Sequence, residues 1–112
     1  MSDPRLQALL DAAPGLRLKT DPADLEHYGR DWTRRWTPAP LAIALPESTA
    51  QVQAVVRWAK ANGVAVVPSG GRTGLSGGAV AAHGELVVSL QRMNRVLGFD
   101  AVDRTLRVEA GI

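Results

Sequence analysis

Apolar residues recur along this chain with two periods, and the change of period marks its elements. Near the start, Leu6, Leu9 and Leu10 fall at helical spacing. They predict a short amphipathic helix over 2–13, capped by Ser2 or Asp3, with Pro4 in its first turn. Pro14-Gly15 ends it, and a second short helix is expected from Asp21-Pro22 to about His27. From Tyr28 to Trp36 no period is visible. Asp31, Trp32, Arg34, Arg35 and Trp36 read there as a surface loop whose tryptophans pack on the domain, with a segment lining a ligand site as the alternative.

Leu41–Leu45 is a short apolar strand set between prolines. Ser48 and Gln51 have capping-box spacing. Val52, Val55, Val56 and Ala59 give the following helix one apolar face, and Gly63 stands where a left-handed residue closes a helix. Val64–Val67 is continuously apolar, as expected of a parallel strand covered on both sides. Glu85–Leu90 is a further strand. Val96–Asp100 and Thr105–Glu109 read as a hairpin joined through Val102-Asp103-Arg104. In its second arm, Leu106 and Val108 alternate with Thr105, Arg107 and Glu109, which predicts one buried and one solvated face. The expected fold is α+β: a small parallel α/β subdomain, then the start of an antiparallel one, with the mode changing near residue 95. A helical segment over 1–37 would precede a domain over 38–112.

The candidate chemistry lies where the second strand ends, in Pro68-Ser69-Gly70-Gly71-Arg72-Thr73-Gly74-Leu75-Ser76-Gly77-Gly78-Ala79-Val80. Five of the eleven glycines fall between Gly70 and Gly78. Glycine admits positive φ and lets another group approach the main chain closely. Successive amides in such a loop can converge on an anion. Ser69, Thr73 and Ser76 add hydroxyl donors, and Arg72 adds a fixed positive charge. Leaving the carboxyl end of a parallel strand, the loop occupies the position where open α/β sheets bind ligands. It resembles a diphosphate cradle. It is not a Walker loop, because no lysine follows any of these glycines, nor a dinucleotide fingerprint of the G-x-G-x-x-G type, because a strand and not a helix follows. A flexible glycine/serine linker would lack the apolar Leu75, Ala79 and Val80 and the flanking strands.

Composition narrows the classes further. At 112 residues, 46% hydrophobic and 21% charged, the chain suits one globular domain with a modest core. A net charge of +2 with scattered arginines, among them Arg5, Arg17, Arg30, Arg57, Arg92 and Arg107, argues against nucleic-acid binding. The absence of cysteine excludes disulfides, thiolate nucleophiles and Cys metal sites from these residues. No signal peptide and no membrane-length apolar run is seen, so the expected compartment is the cytoplasm, with peripheral membrane association left open.

The pattern Pro68-x-Gly70-Gly71-x-Thr73-Gly74-Leu75-x-Gly77-Gly78-Ala79 follows a strand–helix–strand unit. Leu90-x-x-Met93-Asn94-x-Val96 and a closing Val108-Glu109-Ala110-Gly111 come after it. Together they resemble the FAD-binding domain of the vanillyl-alcohol oxidase or p-cresol methylhydroxylase (PCMH) type, and most of all the D-2-hydroxyacid dehydrogenases that act on D-lactate, glycolate or D-2-hydroxyglutarate. The likeness runs from about Tyr28 to the last residue.

That resemblance implies that Pro68, Ser69, Gly70, Gly71, Arg72, Thr73, Gly74, Leu75, Gly77 and Gly78 wrap the FAD diphosphate. Leu90–Asn94 and Glu109–Gly111, with Met93, Asn94 and Gly111 as site residues, would approach the cofactor as the second subdomain begins. Some relatives of this type attach FAD through a histidine in the loop. Arg72 occupies that position here, which implies non-covalent FAD. The catalytic and metal-ligand residues of such enzymes lie beyond residue 112, so no catalytic residue and no metal ligand is assigned. Asp31 and Arg72 count as binding or structural. The implied partner is a small 2-hydroxy acid held by a further part of the protein, with the electron acceptor unassigned and a homo-oligomer left open. Two other readings stand beside this one: a non-catalytic fragment or interaction module with an incomplete flavin site, and a reductase of nucleotide-sugars from the same superfamily, whose glycine loop differs at Thr73-Gly74-Leu75.

Overall fold

The computed structural model describes residues 3–112. Asp3 starts the first helix, α1 (Pro4–Ala12), its carboxylate accepting the Arg5 amide at 2.9 Å. The alternative cap, Ser2, lies outside the described residues. A three-residue strand, β1 (Arg17–Lys19), and a helix, α2 (Pro22–Tyr28), follow. Then come β2 (Ala42–Leu45), α3 (Thr49–Asn62), β3 (Val66–Ser69), β4 (Leu86–Ser89), β5 (Val96–Asp100) and β6 (Thr105–Val108).

The first four strands form one sheet in the order β1-β2-β4-β3. The β2–α3–β3 crossover leaves a gap between its two strands, and β4 fills it, parallel to both. β1 runs antiparallel along the outer edge of β2. Side-chain alternation on β2 divides the core. Ala42 and Ala44 join Leu6, Leu9, Leu16, Val55, Trp58, Ala59, Leu86 and Val88 on one face. Ile43 and Leu45 join Tyr28, Val67, Ala81 and Val87 on the other. Each large side chain buried this way contributes roughly 1.5–3 kcal/mol. The first face draws on α1 as well as α3, so residues on both sides of position 37 share one core.

Caps hold α3 in place. Ser48 Oγ accepts the Gln51 amide at 3.2 Å. The Gln51 side chain reaches back to the Glu47 amide at 2.8 Å, one residue earlier than a capping box requires. Gly63 closes the helix at φ +63°.

Four expectations are corrected. β1 is a strand where none was anticipated; it carries Arg17 and Lys19 and shows no apolar pattern. β3 is an edge strand with Pro68 exposed, and the strands covered on both sides are β2 and β4. Val56 is 53% exposed and Trp58 takes the buried position on α3, its Nε1 donating to the Arg5 carbonyl at 2.6 Å. The β5–β6 hairpin forms a separate sheet with neither face buried, and Val96, Phe99 and Leu106 are all exposed.

Candidate functional site

β3 and β4 end side by side on a pair of serines. Ser69 and Ser89 are register partners, both buried, and the Ser69 carbonyl accepts the Leu90 amide at 3.1 Å. Pro68 precedes this point on an edge strand, where a missing N–H is tolerated. The glycine-rich segment leaves from here.

The segment 28–36 pins that loop from one side. Asp31 is buried, with Oδ2 accepting the Gly77 amide at 3.2 Å. Its Oδ1 accepts the Thr33 hydroxyl at 2.6 Å and the Thr33 amide at 3.0 Å. The Thr33 hydroxyl is the main cause holding the Asp31 carboxyl below its ordinary value; desolvation opposes it, and the amides of Thr33 and Gly77 add to the lowering. One residue on, the Trp32 amide donates to the Gly74 carbonyl at 3.3 Å. Trp36 lies under Gly77. That glycine has φ +81°, and a Cβ there would stand 3.0 Å from Trp36 Cη2. Gly77 is therefore required both by its backbone conformation and by close packing. Trp32, by contrast, is 70% exposed.

Arg72 ties the loop to α2. Its backbone is left-handed, at φ 57°. The guanidinium folds back: Nη1 donates to Ser69 Oγ at 3.3 Å and to the Gly70 carbonyl at 3.1 Å. Nη2 lies 3.3 Å from His27 Nε2, and Cζ sits 4.8 Å from the centre of the Tyr28 ring, within cation–π range. The Tyr28 hydroxyl donates to Gln91 Oε1 at 2.9 Å, which links α2 to the segment after β4.

The remaining glycines behave differently from Gly77. A Cβ added at Gly70, Gly74 or Gly78 meets no atom within 4 Å, and one at Gly71 meets only the Thr73 methyl at 3.9 Å. None of the four takes a positive φ. Neither backbone conformation nor internal packing requires glycine at these positions. Among the described residues, none of the main-chain amides from Gly71 to Ser76 donates to a protein acceptor. The loop thus presents free amides beside open space, the arrangement that a diphosphate needs.

Gly111 is brought to the same place from the far end of the chain. Its amide donates to the Met93 carbonyl at 2.8 Å. A Cβ on it would lie 1.7 Å from the Leu90 carbonyl oxygen, closer than any atom can stand. Gly70, Gly71 and Gly111 line one cavity of about 190 Å³ with Gln91, Ala110 and Ile112. Of the residues expected at the site, Ser69 and Arg72 buttress the loop and Met93 backs the cavity. Pro68 lies on the edge strand, Asn94 is exposed nearby, and Thr73, Gly74, Leu75 and Gly78 form the exposed outer limb of the loop. Gln91 and Ala110, which fall within the two segments expected to approach the cofactor, line this cavity beside Gly111.

A second cavity of about 150 Å³ is lined by His27, Arg30, Asp31, Trp32, Arg34, Gly71 and Arg72. Arg30 and Arg34 belong to the segment 28–36 and Arg72 to the glycine loop, so the fold brings the three arginines to one cavity.

Comparison with known proteins agrees with this geometry. Across its whole length the chain is 75% identical to a D-2-hydroxyglutarate dehydrogenase of Xanthomonas citri pv. viticola and 52% identical to one of Stutzerimonas stutzeri. It spans about a quarter (24%) of the length of each of these curated relatives. Among solved structures, BBE-like 1 of Physcomitrella patens superposes with a TM-score of 0.77 at 28% identity, over 97% of this chain and 23% of that one. Residues 40–112 match the FAD binding domain family. The match takes in the parallel strands, the free glycine loop and Gly111, and it makes this chain a member of the FAD binding domain family, with FAD as its cofactor.

Proposed function

We infer that this chain is the amino-terminal, FAD-holding part of a flavin-dependent dehydrogenase that oxidises a D-2-hydroxy acid, of the 2-hydroxyglutarate class, to the 2-oxo acid. The observation that carries the reading is the set of glycines at 70, 71, 74 and 78, which the fold itself does not require. Close approach of a ligand to the main chain explains them. Two relatives, 75% and 52% identical and both named for D-2-hydroxyglutarate, support the substrate class.

In this reading the amides from Gly71 to Ser76 hold the diphosphate, with Thr73 and Ser76 offering hydroxyls. Gly70, Gly71 and Gly111 leave room for the cofactor to pass between the parallel sheet and the hairpin. Arg72 keeps the loop in shape through Ser69 and Gly70. Asp31 fixes the loop's far limb through Gly77. FAD, when bound, would supply the hydride-accepting chemistry, and the residues of this chain would bind and orient it. FAD is held non-covalently, because residues 68–80 contain neither histidine nor cysteine. The 2-hydroxy acid is bound by a further part of the protein, and the compartment is the cytoplasm, in keeping with a cysteine-free chain in which no described helix is long and apolar enough to cross a membrane.

The test is an absorption spectrum of the purified parent protein, read before and after anaerobic addition of D-2-hydroxyglutarate. Flavin bands that bleach with D-2-hydroxyglutarate, and appear in the supernatant after acid precipitation, are expected. Bleaching by D-lactate alone would move the substrate. A colourless protein that takes up no added FAD would overturn the reading.

A further inference from the structure

We propose that the cavity beside the glycine loop lined by Arg30, Arg34 and Arg72 is a binding site for a phosphate-class oxyanion, separate from the flavin cavity that contains Gly111. Both cavities border Gly71.

Three observations carry this. First, three arginines line a cavity of about 150 Å³, and among the described residues no carboxylate forms an ion pair with any of them. The other arginines found in ion pairs, Arg5, Arg92 and Arg95, each have an acidic partner. Second, the single acid in the cavity wall is already engaged. Asp31 is committed to Thr33 and to the Gly77 amide, and so does not neutralise the arginines. Like charges crowded into one concavity raise its potential and favour an anion there. Third, the cations sit on a fixed frame. Arg34 and Arg72 both take left-handed backbones, at φ 55° and 57°. Arg72 is braced by the Tyr28 ring, Ser69 and Gly70, and the Trp32 amide anchors the intervening segment to Gly74. Planar guanidinium forks suit the oxygens of a phosphate, and exposed Trp32 closes one side of the cavity.

The ligand is a phosphorylated molecule other than FAD, so the site does not rest on the flavin reading above.

The test is calorimetric titration of inorganic pyrophosphate into the parent protein, with and without FAD, for the wild type and for Arg30→Ala/Arg34→Ala. These two side chains make no hydrogen bond within the described residues, and an unchanged melting temperature checks that the fold is kept. Pyrophosphate binding to the FAD-loaded wild type, weakened at least roughly tenfold in the double variant, supports the site and identifies a separate ligand. Pyrophosphate that binds only the FAD-free protein and competes with FAD overturns the proposal, because the anion then occupies the flavin's own diphosphate site. Equal affinity in wild type and double variant, or no uptake by either form, overturns the proposal. Either of those results with FAD retained leaves the flavin reading standing, so the two failures are distinguishable.

Discussion

Asp31 and Gly77 are joined by a hydrogen bond of 3.2 Å between positions forty-six residues apart. The contact fastens an irregular segment near the amino terminus to the far limb of the glycine loop. With its carboxylate buried and the Thr33 hydroxyl at 2.6 Å, Asp31 acts as a fixed post and not as a reacting group.

Replacing that post should loosen the loop without dismantling the sheet. Asp31→Ala is expected to weaken FAD binding by roughly tenfold or more, the loss of about one charge-assisted contact. Fluorescence titration with FAD measures it; unchanged affinity would show that the loop holds its shape without Asp31.

Acid should act on the same contact. The folded Asp31 carboxyl is held below its ordinary value, chiefly by the Thr33 hydroxyl. Its contribution is therefore present above the ordinary carboxylate value and is lost as pH falls through the lowered one. Flavin retention through Asp31 should be flat from neutral pH to about pH 5 and should decline only below about pH 4. A decline already complete at about pH 5 would exclude Asp31 as its cause.

The glycines of the loop should separate binding from folding. Gly71→Val and Gly74→Val place side chains in open space, with no atom of the protein nearer than the Thr73 methyl. Both variants should melt within about 2 °C of the FAD-free wild type and should fail to retain FAD. Normal flavin content, read as absorbance against protein, would remove the diphosphate assignment.

Gly111 should behave in the opposite way. Gly111→Ala drives a Cβ to 1.7 Å from the Leu90 carbonyl oxygen, and that atom is main chain and cannot swing aside. A loss of about 2–3 kcal/mol is expected, in the upper range of overpacked sites. Urea denaturation gives the value; a variant as stable as the wild type would mean that the β4–β5 turn moves freely.

Trp58 offers a test of the amino-terminal packing. Trp58→Phe keeps much of the buried ring and removes the Nε1 bond to the Arg5 carbonyl, which measures 2.6 Å. The expected cost is about 1–2 kcal/mol in urea unfolding, with FAD affinity unchanged.

Local pattern carried much of this structure. The helix stripes, the Ser48 cap, Gly63 and the order of the main strands are interactions between residues a few positions apart, and such interactions are written in adjacent sequence. The density of glycine marked the loop for the same reason. β1 escaped because its pairing with β2, and not its own residues, makes it a strand. The hairpin's exposed faces escaped because alternation states which residues share a face, while burial needs something to cover it.

Sequence alone, then, determined the elements, the glycine loop and the kind of ligand that loop suits. Three things belonged to the tertiary structure: the placement of β4 between β2 and β3, the meeting of Gly70 and Gly71 with Gly111, and the gathering of Arg30, Arg34 and Arg72 around one cavity. Each depends on contacts between residues distant in the chain. Such contacts are selected by the joint burial of apolar faces and by the closing of main-chain hydrogen bonds, and neither is encoded at any single stretch.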